Sequence, residues 1–316
     1  MTVAPANQLQ KNAIIGLGVS IALAACKLVA GVLGHSSALV ADAIESLADS
    51  LGSIIVWKAL RVAERTPDPQ HPYGYGKAEA LGALVVGCML LMAAVLIAVG
   101  AVREILTPHT APEPWTLGVL IVVIIVKEWL FRKVLSAAQA TESDAARADA
   151  WHHRSDAITS AAAVVGVAVA VWGSRWLQMP SLILADEVAA LVATVIIALT
   201  AMGIIRPAML ELLDAESPAL AEKVRLTAAA VEGVRLVEKV HARKSGRLYH
   251  IDMHLHVDPD LDVMRAHMLS GKVRAMVRAA HAQVRDALIH IEPAGTPEPA
   301  NPLNAILPAT GANVKS

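Results

Sequence analysis

Four side chains able to hold a divalent cation stand in two pairs, Glu45 with Asp49 and His152 with Asp156. Both pairs sit inside otherwise aliphatic stretches, ALVADAIESLADSLGSIIV and WHHRSDAITSAAAVVGVAVAV. A spacing of four places each pair on one helix face. An ionisable group at bilayer depth is costly, so it faces the bundle interior and marks an ion or proton path. Carboxylate and imidazole together suit a divalent metal. The plainer reading, in which Glu45 and Asp49 only cap or pair with other helices, fits a lone acid better than two matched pairs in separate spans.

The elements that must carry these pairs are long apolar helices. The chain has 316 residues, 55% of them hydrophobic, with a single Phe and a mean hydropathy of +0.52. A formal charge of -1, with scattered basic residues, gives no stripe for nucleic acid. Cys26 and Cys88 each lie in an apolar run, which leaves neither a disulfide framework nor a thiolate metal site. The start, MTVAPANQLQKN, lacks the basic opening and cleavage site of a signal peptide.

Six apolar segments, near 12–33, 38–60, 79–102, 115–136, 148–172 and 182–205, can each cross the hydrocarbon, which takes about 20 helical residues. The first, third and sixth read as close to uninterrupted. The second carries Asp42, Glu45 and Asp49, the fourth Lys127 and Glu128, the fifth His152, His153 and Asp156. These polar helices should line the interior. Basic residues cluster at Lys11, around the second connection (Lys58, Arg61, Arg65, Lys77), around the fourth (Arg132, Lys133, Arg147, Arg154) and at Arg206, whereas the alternate connections offer Arg103 and Arg175. That bias puts both termini in the cytoplasm.

Beyond Arg206-Pro207 the composition is that of a small soluble domain. Ser217-Pro218 is an N-cap and first-turn pair opening a helix through about Ala230. A strand from Val234 to about Arg243, a Ser245-Gly246 turn and a strand from Arg247 to Val257 follow. In the latter Ile251, Met253, Leu255 and Val257 alternate with His250, Asp252, His254 and His256, giving a core face and a row of ligand-capable groups. A helix from about Val263 to Ala282 and a strand from Ala287 to Glu292 complete an αββαβ order, a sheet with two helices on one face. The expected division is an N-terminal cytoplasmic segment 1–11, a six-helix domain 12–206, a cytoplasmic domain 207–293 and a disordered Pro/Ala/Gly/Asn-rich tail 294–316.

Taken together, HSSALVADAIESLAD, HPYGYGKAEAL and HHRSDA, spread in order over about residues 12 to 293, resemble the cation diffusion facilitator family of metal transporters, of the ferrous-iron/zinc efflux type. The resemblance implies a membrane all-α bundle of six transmembrane helices followed by a cytoplasmic α+β domain, αββαβ and ferredoxin- or metallochaperone-like. It implies a homodimer in a bacterial inner membrane that moves a divalent cation outward in exchange for protons. No enzymatic cofactor is implied; the metal is cargo, with Zn²⁺ favoured.

On that resemblance Glu45, Asp49, His152 and Asp156 form the transport cage, with ligand distances of about 2.0–2.2 Å for Zn²⁺. Many members carry His or Asp where Glu45 stands, and the oxygen-rich set keeps Fe²⁺, Mn²⁺, Co²⁺ and Cd²⁺ open. In the loop PDPQHPYGYGKAE, Asp68 and His71 match a family metal site whose third position here is Tyr75. A phenol with a pKa near ~10 is a poor ligand, so the loop is expected to be a weak site or merely a turn shaped by Pro67, Pro69 and Pro72. Lys77 and Asp214 match a structural ion pair. Glu238, His254, His267, His290 and Glu292 match a binuclear cytoplasmic site, with the alternative that the histidines simply lie on a solvated sheet face. His109, His241 and His281 read as surface residues, and Met89 and Met92 as packing.

Two other function classes compete. An intramembrane metalloenzyme would need an activated water beside an open metal position, and the chain has no His-Glu-x-x-His motif. A non-transporting partner or metal-sensing scaffold would tolerate a broken cage, whereas the four-residue set here is complete.

Overall fold

The structure is a computed structural model that describes residues 4–107, 112–140, 157, 160–161, 163–173, 182 and 184–295. It divides into two units, Met1–Met209 and Leu210–Ser316. His152, His153 and Asp156 lie outside the described residues, as do Arg147, Arg154 and residues 296–316 of the expected tail.

In the first unit, aliphatic runs punctuated by Gly and Ala form α1 (Ala4–Leu33), α2 (Ser37–Ala63), α3 (Ala78–Leu106) and α4 (Trp115–Ala140). A fifth apolar helix, α5, spans Ala163–Gly173, and its last turn, Val169–Gly173, widens to a π-helix. The sixth is α6 (Ala185–Leu212). Among the described residues three stretches are long and apolar enough to cross a membrane: Gly16–Leu33 within α1, α3 and α6. Helices α2 and α4 have 27 and 26 residues but carry the charges anticipated for interior helices.

The distribution of polarity is inverted relative to a water-soluble bundle. Leu96, Val99, Val195 and Leu199 are exposed, whereas Lys27, Asp42, Lys127, Asp186 and Glu187 are buried. Only a hydrocarbon exterior makes that arrangement favourable, because in water the apolar surface would be driven inward and the charges outward. Ala41 and Ala48 of α2 pack with Val86, Leu90 and Ala94 of α3 and with Ala190 and Ile197 of α6. A second cluster joins Ala30 of α1, Leu39 of α2, Leu117 and Leu120 of α4, and Ala163 and Val167 of α5. Close approach depends on missing side chains: a Cβ on Gly87 would stand 2.5 Å from Ile205.

The helix that reaches Arg206-Pro207 does not end there. Proline lacks an amide donor and normally kinks or stops a helix, yet α6 continues through Pro207 to Leu212. The turn that ends it places Asp214 at φ +55, with the Ala215 amide donating to the Leu210 carbonyl at 2.9 Å. Asp tolerates this left-handed geometry better than most residues.

The second unit contains α7 (Pro218–Ala229), β1 (Val234–Ser245), β2 (Leu248–Val257), α8 (Val263–Ala280) and β3 (Val284–Pro293), the αββαβ order read from the sequence. The sheet runs β1-β2-β3, with β1 antiparallel and β3 parallel to β2. Ile251, Met253, Leu255 and Val257 are buried with Val224 and Ala228 of α7 and Val273 and Val277 of α8. Ser217 precedes α7 but makes no side-chain cap; its amide donates instead to the Ala242 carbonyl at 2.9 Å. The β1-β2 turn is clamped by Glu211, which accepts from the Gly246 amide at 2.6 Å and pairs with Lys244 at 3.0 Å.

Candidate metal centres

The first centre is built around the start of α2. Ser36 is its N-cap: the side-chain oxygen accepts from the Leu39 amide at 3.2 Å and the hydroxyl donates to Asp186 Oδ1 at 2.8 Å. Asp186 Oδ2 also accepts from the Ala38 amide at 3.3 Å. A carboxylate from α6 thus completes the cap of α2, where free amides and the positive end of the helix dipole favour an anion.

Below that cap, Asp42, Glu45 and Asp49 follow at intervals of three and four residues. Asp42 and Glu45 line a cavity of about 340 Å³ walled by Ala163 and Gly166 of α5 and Ala189 and Val192 of α6. Gly166 keeps α5 close to α6, since a Cβ there would lie 2.5 Å from that of Ala189. Glu45 and Asp49 are both half-buried, and Asp49 is absent from the cavity lining. The other half of the expected cage, His152 and Asp156, lies outside the described residues. Ser160, four residues further along, donates to Asp42 at 2.8 and 3.1 Å, so this part of the fifth segment meets α2 at its row of acids.

Lysine enters the same region. Lys27 of α1 is fully buried and lies 2.9 Å from Asp42 Oδ2; elsewhere on α1, Ser20 accepts from the buried Lys127 of α4 at 3.3 Å. Segments one and six read as nearly uninterrupted because averaging over twenty aliphatic residues dilutes Lys27, Asp186 and Glu187. The signal that could have found them is the same cost of intramembrane charge that singled out Glu45.

The second centre lies on the sheet face opposite the α7-α8 core. Register places His254 beside His290 and His256 beside Glu292. A bulge between Val237 and Lys239 leaves Glu238 outside the regular alternation, a local re-aiming typical of such irregularities. Glu238, His256 and Glu292 bring ligand atoms within 4.8 Å of one another. His256 Nε2 is 3.2 Å from Glu238 and 3.5 Å from Glu292. Glu292 also lies 2.7 Å from His254 Nδ1 and 3.6 Å from His290 Nε2. The hydrogen bond from His256 holds the Glu238 carboxyl below its ordinary range, aided by Lys239, so an anionic oxygen is present where a cation would be bound. Of the five expected residues, Glu238, His254, His290 and Glu292 converge here. His267 is exposed on α8 and takes no part in these contacts, while His256 joins them.

Residues 13–213 match the cation efflux transmembrane domain, and residues 217–294 match the cation efflux protein cytoplasmic domain. The chain belongs to the cation efflux, or cation diffusion facilitator, family. It is therefore a divalent metal cation efflux transporter rather than an enzyme. Among its relatives is the manganese efflux system protein MneP of Bacillus subtilis, 29% identical over 90% of this chain and 96% of that one. Metal tolerance protein C1 of Arabidopsis thaliana is 34% identical over 92% of this chain and 64% of its own length. A solved structure described as MamM-CTD 215-293 is 29% identical, covering 24% of this chain and 96% of that one with a TM-score of 0.24.

In this cation efflux transporter the loop between α2 and α3 is a hydrogen-bonded turn. Asp68 Oδ2 accepts from the Tyr75 hydroxyl at 2.5 Å, and Oδ1 accepts from the amides of Gln70 and His71 at 2.9 and 2.7 Å. His71 Nδ1 lies 3.2 Å from the same oxygen. The Tyr75 bond, with those amides, keeps the Asp68 carboxyl below its ordinary value and raises the phenol above its own. Tyr75 is thereby kept as a neutral donor, the wrong polarity for a metal ligand. Lys77 immediately precedes α3, and Asp214, in the other unit, lies 3.8 Å from Arg243.

Proposed function

We propose that this transporter exports a divalent cation from the cytoplasm in exchange for protons, and that Glu45, Asp49, His152 and Asp156 hold the ion in transit. The observation that carries the reading is the cavity walled by α2, α5 and α6, with the acids Asp42 and Glu45 on an otherwise aliphatic lining. The sequence pattern supports six spans with both termini in the cytoplasm of a bacterium, and the cytoplasmic domain supports a homodimer. Two discrete states, opening the cage to one side or the other, would serve the transport cycle.

Zn²⁺ and Mn²⁺ are the ions to separate. Four protein ligands suit tetrahedral Zn²⁺. Three carboxylates to one imidazole suit Mn²⁺, and the relative MneP is called a manganese efflux protein. Replacing Glu45 by His exchanges an anionic oxygen for a neutral nitrogen, so the ratio of Mn²⁺ to Zn²⁺ transport in proteoliposomes is expected to fall. Glu45→Asp keeps the charge and shortens the arm, weakening both ions with less change in their ratio. An unchanged ratio in both variants removes Glu45 from the coordination shell.

The cytoplasmic cluster is proposed as a regulatory metal site centred on Glu292, with His254, His256, His290 and Glu238 around it. The bonded Asp68-Tyr75 turn is assigned no metal. Glu292→Gln retains shape but removes the shared anion, and its side chain is only partly covered, so folding should persist. Titration of the purified chain with Zn²⁺ should then show one class of sites weakened about tenfold or more, the scale on which altered metal shells act. Unaltered binding in both site classes would assign this face to solvation alone.

A further inference from the structure

Lys27 occupies a position that export of a cation makes surprising: a fixed positive charge, fully buried, against the helix that carries the transport acids. Its ammonium has three hydrogens to place, and three acceptors receive them. They are Asp42 Oδ2 at 2.9 Å, the Asp42 carbonyl at 3.1 Å and Ser46 Oγ at 2.6 Å. The lysine therefore sits over one turn of α2, on the residues three before and one after Glu45. Asp42 is 4% exposed and lines the cavity with Glu45, so it stands where a further ligand would. Both its oxygens are already engaged, one by Lys27 and both by the Ser160 hydroxyl.

We infer that Lys27 withholds Asp42 from the transported ion and so sets the charge, and with it the affinity, of the transport site. The inference rests on the assignment of Glu45 to that site. With the pair intact, the ion meets the charges of Glu45, Asp49 and Asp156, while Asp42 is neutralised within its own bond network. Without Lys27 a fourth carboxylate becomes available one turn from Glu45, and a cation held by it would bind more tightly and leave more slowly. A transporter must release its cargo, so a lysine that removes one anion from the shell favours turnover over retention. Lys27 is in this sense a positioning and affinity-setting residue that acts through Asp42.

The test is a double-variant cycle in full-length protein reconstituted into vesicles, with Mn²⁺ as probe and KM and kcat read separately. Lys27→Met is expected to lower KM by about tenfold or more and to lower kcat with it, since a nearby full charge shifts ionic equilibria by at least that factor. Asp42→Asn, which leaves the Lys27 charge without its carboxylate partner on the turn that carries Glu45, should raise KM by about tenfold or more. The combined K27M/D42N protein removes both charges, a replacement that buried pairs tolerate better than loss of one partner. Its KM should return to within about threefold of the parent. If Lys27→Met does not fold, the other two variants decide: a restored KM in the pair upholds the inference, and a KM equal to that of Asp42→Asn overturns it. Unchanged KM in Lys27→Met also overturns it. Glu45→Ala run alongside separates the two levels, because near-normal transport there overturns the site assignment itself, whereas its loss with an unresponsive cycle overturns only the role of Lys27.

Discussion

Replacing Asp49 by alanine is expected to reduce divalent metal transport in proteoliposomes to the level of protein-free vesicles, and Asp156→Ala to do the same. On the proposed cage each substitution would delete an anionic ligand, and no cysteine stands by to substitute: Cys26 and Cys88 are both on exposed helix surface. Folding should survive the Asp49 change. The residue is half-buried and its peptide carbonyl, which accepts from Ser53 Oγ at 3.0 Å, is untouched. The measurement is initial Zn²⁺ and Mn²⁺ flux, with helix content and elution volume as controls for insertion. Near-normal flux in either variant would dismiss the four-residue cage.

A pH gradient alone should drive metal uphill. In the proposed cage, metal binding to His152 would require neutral imidazole and to the three acids carboxylate, so protons and metal would compete for the same atoms. Vesicles with an acidic lumen, voltage clamped at zero, should accumulate external Zn²⁺ or Mn²⁺ above its outside concentration and lose it when an ionophore collapses the gradient. The sign follows from exchange: protons leaving the lumen release the cage for metal entering it. Metal uptake that stops at concentration equality and ignores the gradient would describe a uniporter.

Sequence by itself determined the features that depend on periodicity. The four-residue spacing of Glu45 and Asp49 fixed a common helix face, and the alternation from His250 to Val257 fixed which side of β2 is core, because helical and strand repeats are properties of the backbone. The αββαβ order was legible for the same reason. What Pro207 does to its helix depends on what surrounds it, and α6 runs past it. Contacts between distant segments needed the tertiary structure. Lys27 meets Asp42 fifteen residues away and Asp186 caps a helix that begins about 150 residues earlier, partnerships that no local pattern encodes. His256 joined the cytoplasmic cluster, rather than remaining one of a row, through the strand register that sets it beside Glu292 and the bulge beside Glu238. Single-residue register is decided by packing against the neighbouring strand, which is why the ligand-capable residue types could be read from the chain while their convergence could not.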